Sequence, residues 1–134
     1  MQRWQIGSFL VFLSGAPLVA SGEGVLFLDR CPAGCTYSPG FENSRTNSSS
    51  LISQSVQVGA FGSGDASWDA VVDCVRTTFA RFDIEVTDVD PDQTSHFEVA
   101  VAGVPTQIGF PIGVGNVSPI TCAGDRVVDD GIAF

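Results

Sequence analysis

The chain has 134 residues, with 15 acidic and 6 basic side chains, no lysine and a net charge of −9. That length allows one domain with a modest core. So acidic a surface repels phosphate backbones and anionic lipid, which argues against nucleic acid or an anionic membrane as partner.

Arg3 is followed by an almost wholly apolar run, Ile6 to Val19, and then by the small residues Ala20, Ser21 and Gly22. A basic start, a short apolar stretch and a small-residue exit make up the layout of a secretory signal peptide. The run is shorter than the ~20 apolar residues that a membrane-spanning helix requires. Residues 1–20 are therefore expected to be a cleaved signal peptide, the alternative being an uncut anchoring helix. Residues 21–134 would be the mature portion, secreted or periplasmic, with no stable membrane span. Loss of Arg3 leaves five basic residues against fifteen acidic, a net charge of −10.

Gly24 to Asp29 is a short apolar run ending in a turn and reads as a strand covered on both faces. Cys31 and Cys35 follow, separated by Pro-Ala-Gly, with Cys74 and Cys122 further on. An even number of cysteines behind an export signal favours disulfides. Three pairings are possible. The Pro-Ala-Gly spacer suits a local Cys31–Cys35 bridge, which would leave Cys74 to join Cys122. That second bridge would close a loop of roughly 50 residues and contribute about 3–4 kcal/mol by loop entropy. A zinc site needs a second ligand knuckle, and Cys74 and Cys122 stand alone.

Thr36 to Ser50 is rich in Ser, Asn, Gly and Pro and reads as a long loop, with Tyr37 and Phe41 as candidate anchors. Leu51 to Val58 alternates imperfectly and suggests a short strand. Gly59 to Gly64 leads into the strongest pattern of the chain. Trp68, Val71, Val72, Val75, Phe79 and Phe82 recur at helical spacing, which predicts an amphipathic helix over Asp65–Phe82. Asp65 is placed to cap it, and Arg76 and Arg81 sit toward its C-terminal end. The period then changes to two at Ile84, Val86 and Val89, a strand. His96 to Ala102 alternates as well and reads as a further strand, joined to the previous one by a hairpin-like link. Gly103 to Pro119 is expected to be a structured loop. Gly131 to Phe134 resembles the opening of a buried strand.

The chemistry on offer is sparse. His96 has no second histidine with which to share a metal, and no spacing supports a pairing with Ser95 or Ser118, so a structural role is expected. Asp88, Asp90 and Asp92 form D-x-D-x-D, but the sixth and twelfth places of a calcium loop hold Gln93 and Val99 instead of Gly and Glu. A solvated acidic turn is the expectation there. Three carboxylate pairs stand out, Asp29 with Glu42, Glu85 with Glu98, and Asp129 with Asp130. Sugar hydrolysis would require one such pair to flank a glycosidic bond, and no motif indicates it. The sequence holds no G-x-S-x-G, phosphate loop or dinucleotide fingerprint.

Three segments, VLFLDRCPAGCTYSPG, SWDAVVDCVRTTFARFDIEVTDVDP and HFEVAVAGVPTQIGFPIGVGNVSPITC, together resemble the N-terminal half of secreted, zinc-dependent metallopeptidase-like proteins of myxobacteria, relatives of the metzincin (matrixin-like) peptidases. The resemblance spans about residues 25–134. It implies an α+β, zincin-like fold: a twisted mixed sheet with the one long helix packed across it, incomplete at the C-terminus. Residues 21–134 would be the N-terminal part of such a domain, acting on a peptide or protein substrate once complete. In that family an H-E-x-x-H helix supplies two zinc ligands and a general base. This chain contains no H-E-x-x-H, so no catalytic, cofactor-binding or metal residue carries over, and zinc is expected only in a part beyond Phe134. What carries over is the set of disulfide positions Cys31, Cys35, Cys74 and Cys122. The competing expectation is a non-catalytic secreted binding or structural module stapled by disulfides.

Overall fold

The computed structural model describes residues 24–120 and 130–134. The expected signal peptide lies outside them, as do Cys122 and Asp129. The architecture is α+β, with two sheets and one helix. The larger sheet contains β1 (Gly24–Asp29), β5 (Ile84–Thr87), β6 (Phe97–Ala100) and β7 (Ile132–Ala133). Their spatial order is β5-β1-β6-β7, with β1 in the interior as its two-sided apolar character requires. All three pairings are parallel. An antiparallel contact is added beside β7, where Val117 and Phe134 exchange both backbone hydrogen bonds at 2.8 and 2.9 Å.

The expected hairpin-like link between β5 and β6 is not what forms. These strands do not pair with each other. They flank β1, so that Leu26 faces Val86 on one side and Phe97 on the other. Alternation in sequence identifies a strand but not its neighbour, and the most apolar strand took the centre. The 88–96 segment must therefore cross β1. It does so on the face of Glu98, since Asp90, Asp92, His96 and Glu98 line one cavity.

The helix α1 (Asp65–Phe79) is three residues shorter than its periodicity suggests. Trp68 and Val72 are buried, Val71, Val75 and Phe79 are half-buried, and Phe82 lies past the end, exposed. Nor does Asp65 cap the helix. Gly64, at φ 81°, occupies that position, and the Asp65 carboxylate receives a 2.8 Å bond from Arg30. The backbone entering the helix must adopt a positive φ, which glycine accepts without strain, so the acid is displaced into the first turn, where its charge still suits the dipole. At the other end of the helix face, Asp88 accepts from Trp68 Nε1 (3.2 Å) and from Arg76 (3.1 Å), tying helix to β5.

A second, small sheet replaces most of the loop expected over 36–50. It comprises β2 (Cys35–Pro39), β3 (Ser48–Ser49) and β4 (Val56–Val58), in the order β3-β2-β4. β2 runs parallel to β3 and antiparallel to β4. In β2 only Tyr37 is buried, and the buried residue of β3 is the polar Ser49, so composition alone reads as loop. Of the two expected anchors Tyr37 is fully buried, while Phe41 is 95% exposed. The segment after Gly103 is a structured loop as expected, with a 3-10 turn over Pro105–Ile108. Gln107 Oε1 accepts from the backbone of Val104 (2.9 Å) and Gly59 (3.3 Å), fastening this turn to the end of β4. No helix among the described residues is long and apolar enough to cross a membrane.

Candidate functional site

The side of the larger sheet opposite α1 carries the chemistry. In the parallel register Phe27 faces Glu98, so Phe27, Asp29 and Glu98 project from the same face, while Leu26, Leu28, Phe97 and Val99 project toward the helix. A polar cavity of about 350 Å³ lies over Asp29 and Glu98. Asp90, Asp92 and His96 line it from the crossing segment, and Arg45 and Thr36 from the small-sheet side. Arg45 is tied to Asp130 at 2.9 Å.

Glu98 is 2% exposed and accepts a 2.6 Å hydrogen bond from the Tyr37 hydroxyl, itself fully buried. Burial pushes the Glu98 carboxyl up to about 7, the Tyr37 bond pulling the other way and the charges of Asp29 and Asp90 adding to the rise. Burial likewise raises Tyr37, followed by the charge of Glu98 and its hydrogen bond. The carboxyl–phenol contact joins the two sheets. Removing the hydroxyl in Tyr37→Phe leaves a buried carboxyl without its donor and should cost about 1–3 kcal/mol, read as a lower urea midpoint. A change below a few tenths would mean that water replaces the bond.

Asp29 ends β1 at the turn. Its Oδ1 accepts from the Cys31 backbone N–H at 2.7 Å, and its Oδ2 lies 2.9 Å from Cys35 Sγ and 3.7 Å from Cys31 Sγ. Burial raises its pKa; the Cys31 N–H lowers it and the charge of Asp90 raises it further. The local Cys31–Cys35 disulfide forms as the Pro-Ala-Gly spacing suggests, with Gly34 at φ 81° donating to the Cys31 carbonyl at 2.7 Å. Cys74 is exposed on α1 and free, and its expected partner Cys122 lies outside the described residues.

The remaining sequence candidates separate. His96 is buried, its Nδ1 donating to the Thr94 carbonyl at 2.7 Å and its ring edge-on to Phe27. Ser95 donates to Asp130 and Ser118 to the Pro119 carbonyl. Within D-x-D-x-D, Asp88 turns toward α1, while Asp90 accepts from the Asp92 backbone at 2.8 Å and both line the cavity. Glu42 braces backbone, accepting from Ser49, Ser50 and the Ile132 N–H. Glu85 is exposed and Glu98 buried, so the proposed carboxylate pair does not meet in a common environment.

The Tyr37–Glu98 contact escaped the sequence reading because Glu98 occupies the polar phase of an alternating strand, which ordinarily faces water. A signal was available in the neighbouring pattern. A sheet whose central strand is apolar on both faces must be covered on both, so an acid on its next strand would be buried too.

Together these features define a disulfide-stapled α+β domain with a buried acidic site beneath a crossing segment. No protein-family model matches the chain, and neither a curated protein nor a solved structure matches it.

Proposed function

We propose that this chain is the N-terminal, sheet-forming portion of a secreted zinc metallopeptidase-like protein of the metzincin type, providing the scaffold against which a zinc-binding helix packs. The observation that carries the reading is the half-buried apolar face beside α1, hollow among the described residues. Two hollows of about 410 and 470 Å³ meet at Val99 and Val101. Leu26, Leu28, Val75, Phe79 and Phe97 line the first, and Val58, Phe61, Ile108 and Phe134 are among the walls of the second. Helix α1 occupies only part of that face, packing mainly on β5. Val75, Phe79, Val99 and Val101 are only half-buried there, which leaves room for a further apolar element. A helix carrying H-E-x-x-H on one side and apolar residues on the other would fit it.

Without H-E-x-x-H, the 134-residue chain has no means of holding a catalytic zinc in the family's manner and should not cleave peptides. The test is to read the gene past the codon for Phe134, express the extended product and assay peptide cleavage with and without a chelator. Chelator-sensitive proteolysis supports the reading. A stop codon directly after Phe134 would sink it and leave the disulfide-stapled binding module as the better description.

A further inference from the structure

We propose that the polar cavity over Asp29 and Glu98 binds one guanidinium group, whether carried by an arginine side chain or by a small free guanidine. The cavity lies on the sheet face opposite α1, so the site stands or falls independently of the metallopeptidase reading. Two of its lining side chains are buried by the fold itself. His96 and Glu98 are each 2% exposed and both line the cavity. Two residues apart in extended chain, they share one face as the backbone enters β6. Each commits one polar atom to the protein: His96 Nδ1 donates to the Thr94 carbonyl, and Glu98 Oε1 accepts from the Tyr37 hydroxyl. The other polar atom of each, His96 Nε2 and Glu98 Oε2, has no partner among the described residues and is not sealed off from solvent. With the ring proton on Nδ1, Nε2 of the neutral imidazole is an acceptor, as is the carboxylate oxygen.

The rest of the lining is rich in acceptors too. Asp29 adds a carboxylate from β1, and Asp90 and Asp92 add two more from exposed positions on the crossing segment. Arg45, the basic side chain of the lining, is engaged by Asp130 at 2.9 Å. Such a wall is complemented by a cation that carries N–H donors, and spacing selects which one. A divalent ion holds its ligand atoms about 3.5 Å apart. An ammonium nitrogen holds three acceptors about 4.6 Å apart, tetrahedrally at ~2.8 Å. Among the described residues, the group of three acidic, histidine or cysteine donor atoms within 4.8 Å of one another is at the disulfide turn, and it draws only Asp29 from the cavity. The cavity's own acceptors are therefore set too widely for a point cation. A guanidinium directs five N–H donors outward over a plane and bridges acceptors about 5–7 Å apart. A volume of about 350 Å³ admits that group with part of an alkyl stem. Phe27, also on the lining, gives the flat cation an aromatic neighbour.

The test uses the full chain without a tag at pH 8, where Glu98, its carboxyl raised to about 7, is ionised. His96 is the one histidine of the sequence, so its ring proton signals identify themselves in an NMR titration. Methylguanidinium should shift those signals saturably, with one ligand per chain. L-citrulline, which replaces the guanidinium by a neutral urea group, and tetramethylammonium, a cation without N–H donors, should not. A blocked Ala-Arg-Ala peptide distinguishes the sources: binding by it assigns the site to arginine side chains, and binding by methylguanidinium alone assigns it to a small free guanidine. Asp90→Asn, which keeps an acceptor for the Asp92 N–H, should weaken binding about 10-fold, as loss of one charge-assisted hydrogen bond does. Glu85→Gln makes the same change of net charge at an exposed position outside the cavity and should leave binding unchanged. No shift with methylguanidinium, equal binding of L-citrulline or tetramethylammonium, or equal weakening by Glu85→Gln and Asp90→Asn overturns the proposal, the last by reducing it to general attraction of a cation to an acidic chain.

Discussion

Trp68→Ala should destabilise the domain by about 3–5 kcal/mol, as large-to-small changes at buried aromatic sites do. Trp68 is 3% exposed and forms a cluster with Leu28 and Val72, the point at which the helix meets the central strand. Phe61 meets its ring edge-on at 5.4 Å, and the Arg30 guanidinium lies 5.9 Å from the ring centroid. Its indole N–H donates to Asp88, which also receives Arg76, so truncation loosens the helix–β5 tie as well as emptying a large volume. Trp68→Phe separates the two contributions. It retains most of the ring and forfeits the N–H, and should cost about 1 kcal/mol for the bond together with a smaller packing loss. Urea unfolding of the three proteins measures both. A loss below about 1 kcal/mol for the alanine variant would mean that the helix is held elsewhere. It would also weaken the metallopeptidase reading, which needs α1 fixed so that the remaining sheet face stays open.

How much of this could be read in the residues depends on the range over which each signal acts. The span of β1 and the first residue of α1 follow from local periodicity, and the Cys31–Cys35 bridge from a three-residue spacer, so all three were legible. The identity of the helix cap was not, because Gly64 and Asp65 are both acceptable by type and the positive φ at Gly64 is set by the path of the chain arriving from β4. Strand partnership is longer-ranged still. Ile84–Thr87 and Phe97–Ala100 carry the marks of a hairpin, yet the energy of covering β1 on both edges outweighs the short connection. Of the small sheet, β4 falls within the 51–58 segment expected as a strand, while β2 and β3 were hidden because Tyr37 is the one buried apolar side chain between them. The site suffered most. Its essential residues, Asp29, Tyr37 and Glu98, come from three different strands, and only the register of β1 against β6 and the approach of β2 bring them together.

The Glu98 environment makes stability depend on pH in a direction opposite to the common acid-denaturation pattern. A carboxyl raised from 4.5 to about 7 by folding holds a proton in the native state that the unfolded chain has already released. Between those values the native state binds more protons, so stability falls as pH rises. The contribution is fully present below about pH 4.5 and is lost as pH climbs through 7, a total of about 3 kcal/mol at one pKa unit per 1.36 kcal/mol. Asp29, also raised, adds to the trend in the same direction. Glu98→Gln keeps the shape and an oxygen to accept the Tyr37 hydroxyl, while removing the titration. Its stability relative to the parent should therefore rise steadily from pH 5 to pH 8. Urea midpoints at each half unit of pH give the difference curve directly. A flat curve would show that Glu98 ionises without penalty, and so that water enters beside Tyr37 and hydrates the carboxylate. A rising one establishes that the two sheets meet across a proton-dependent contact. That contact ties the packing of β2 on β6 to the acidity of its surroundings.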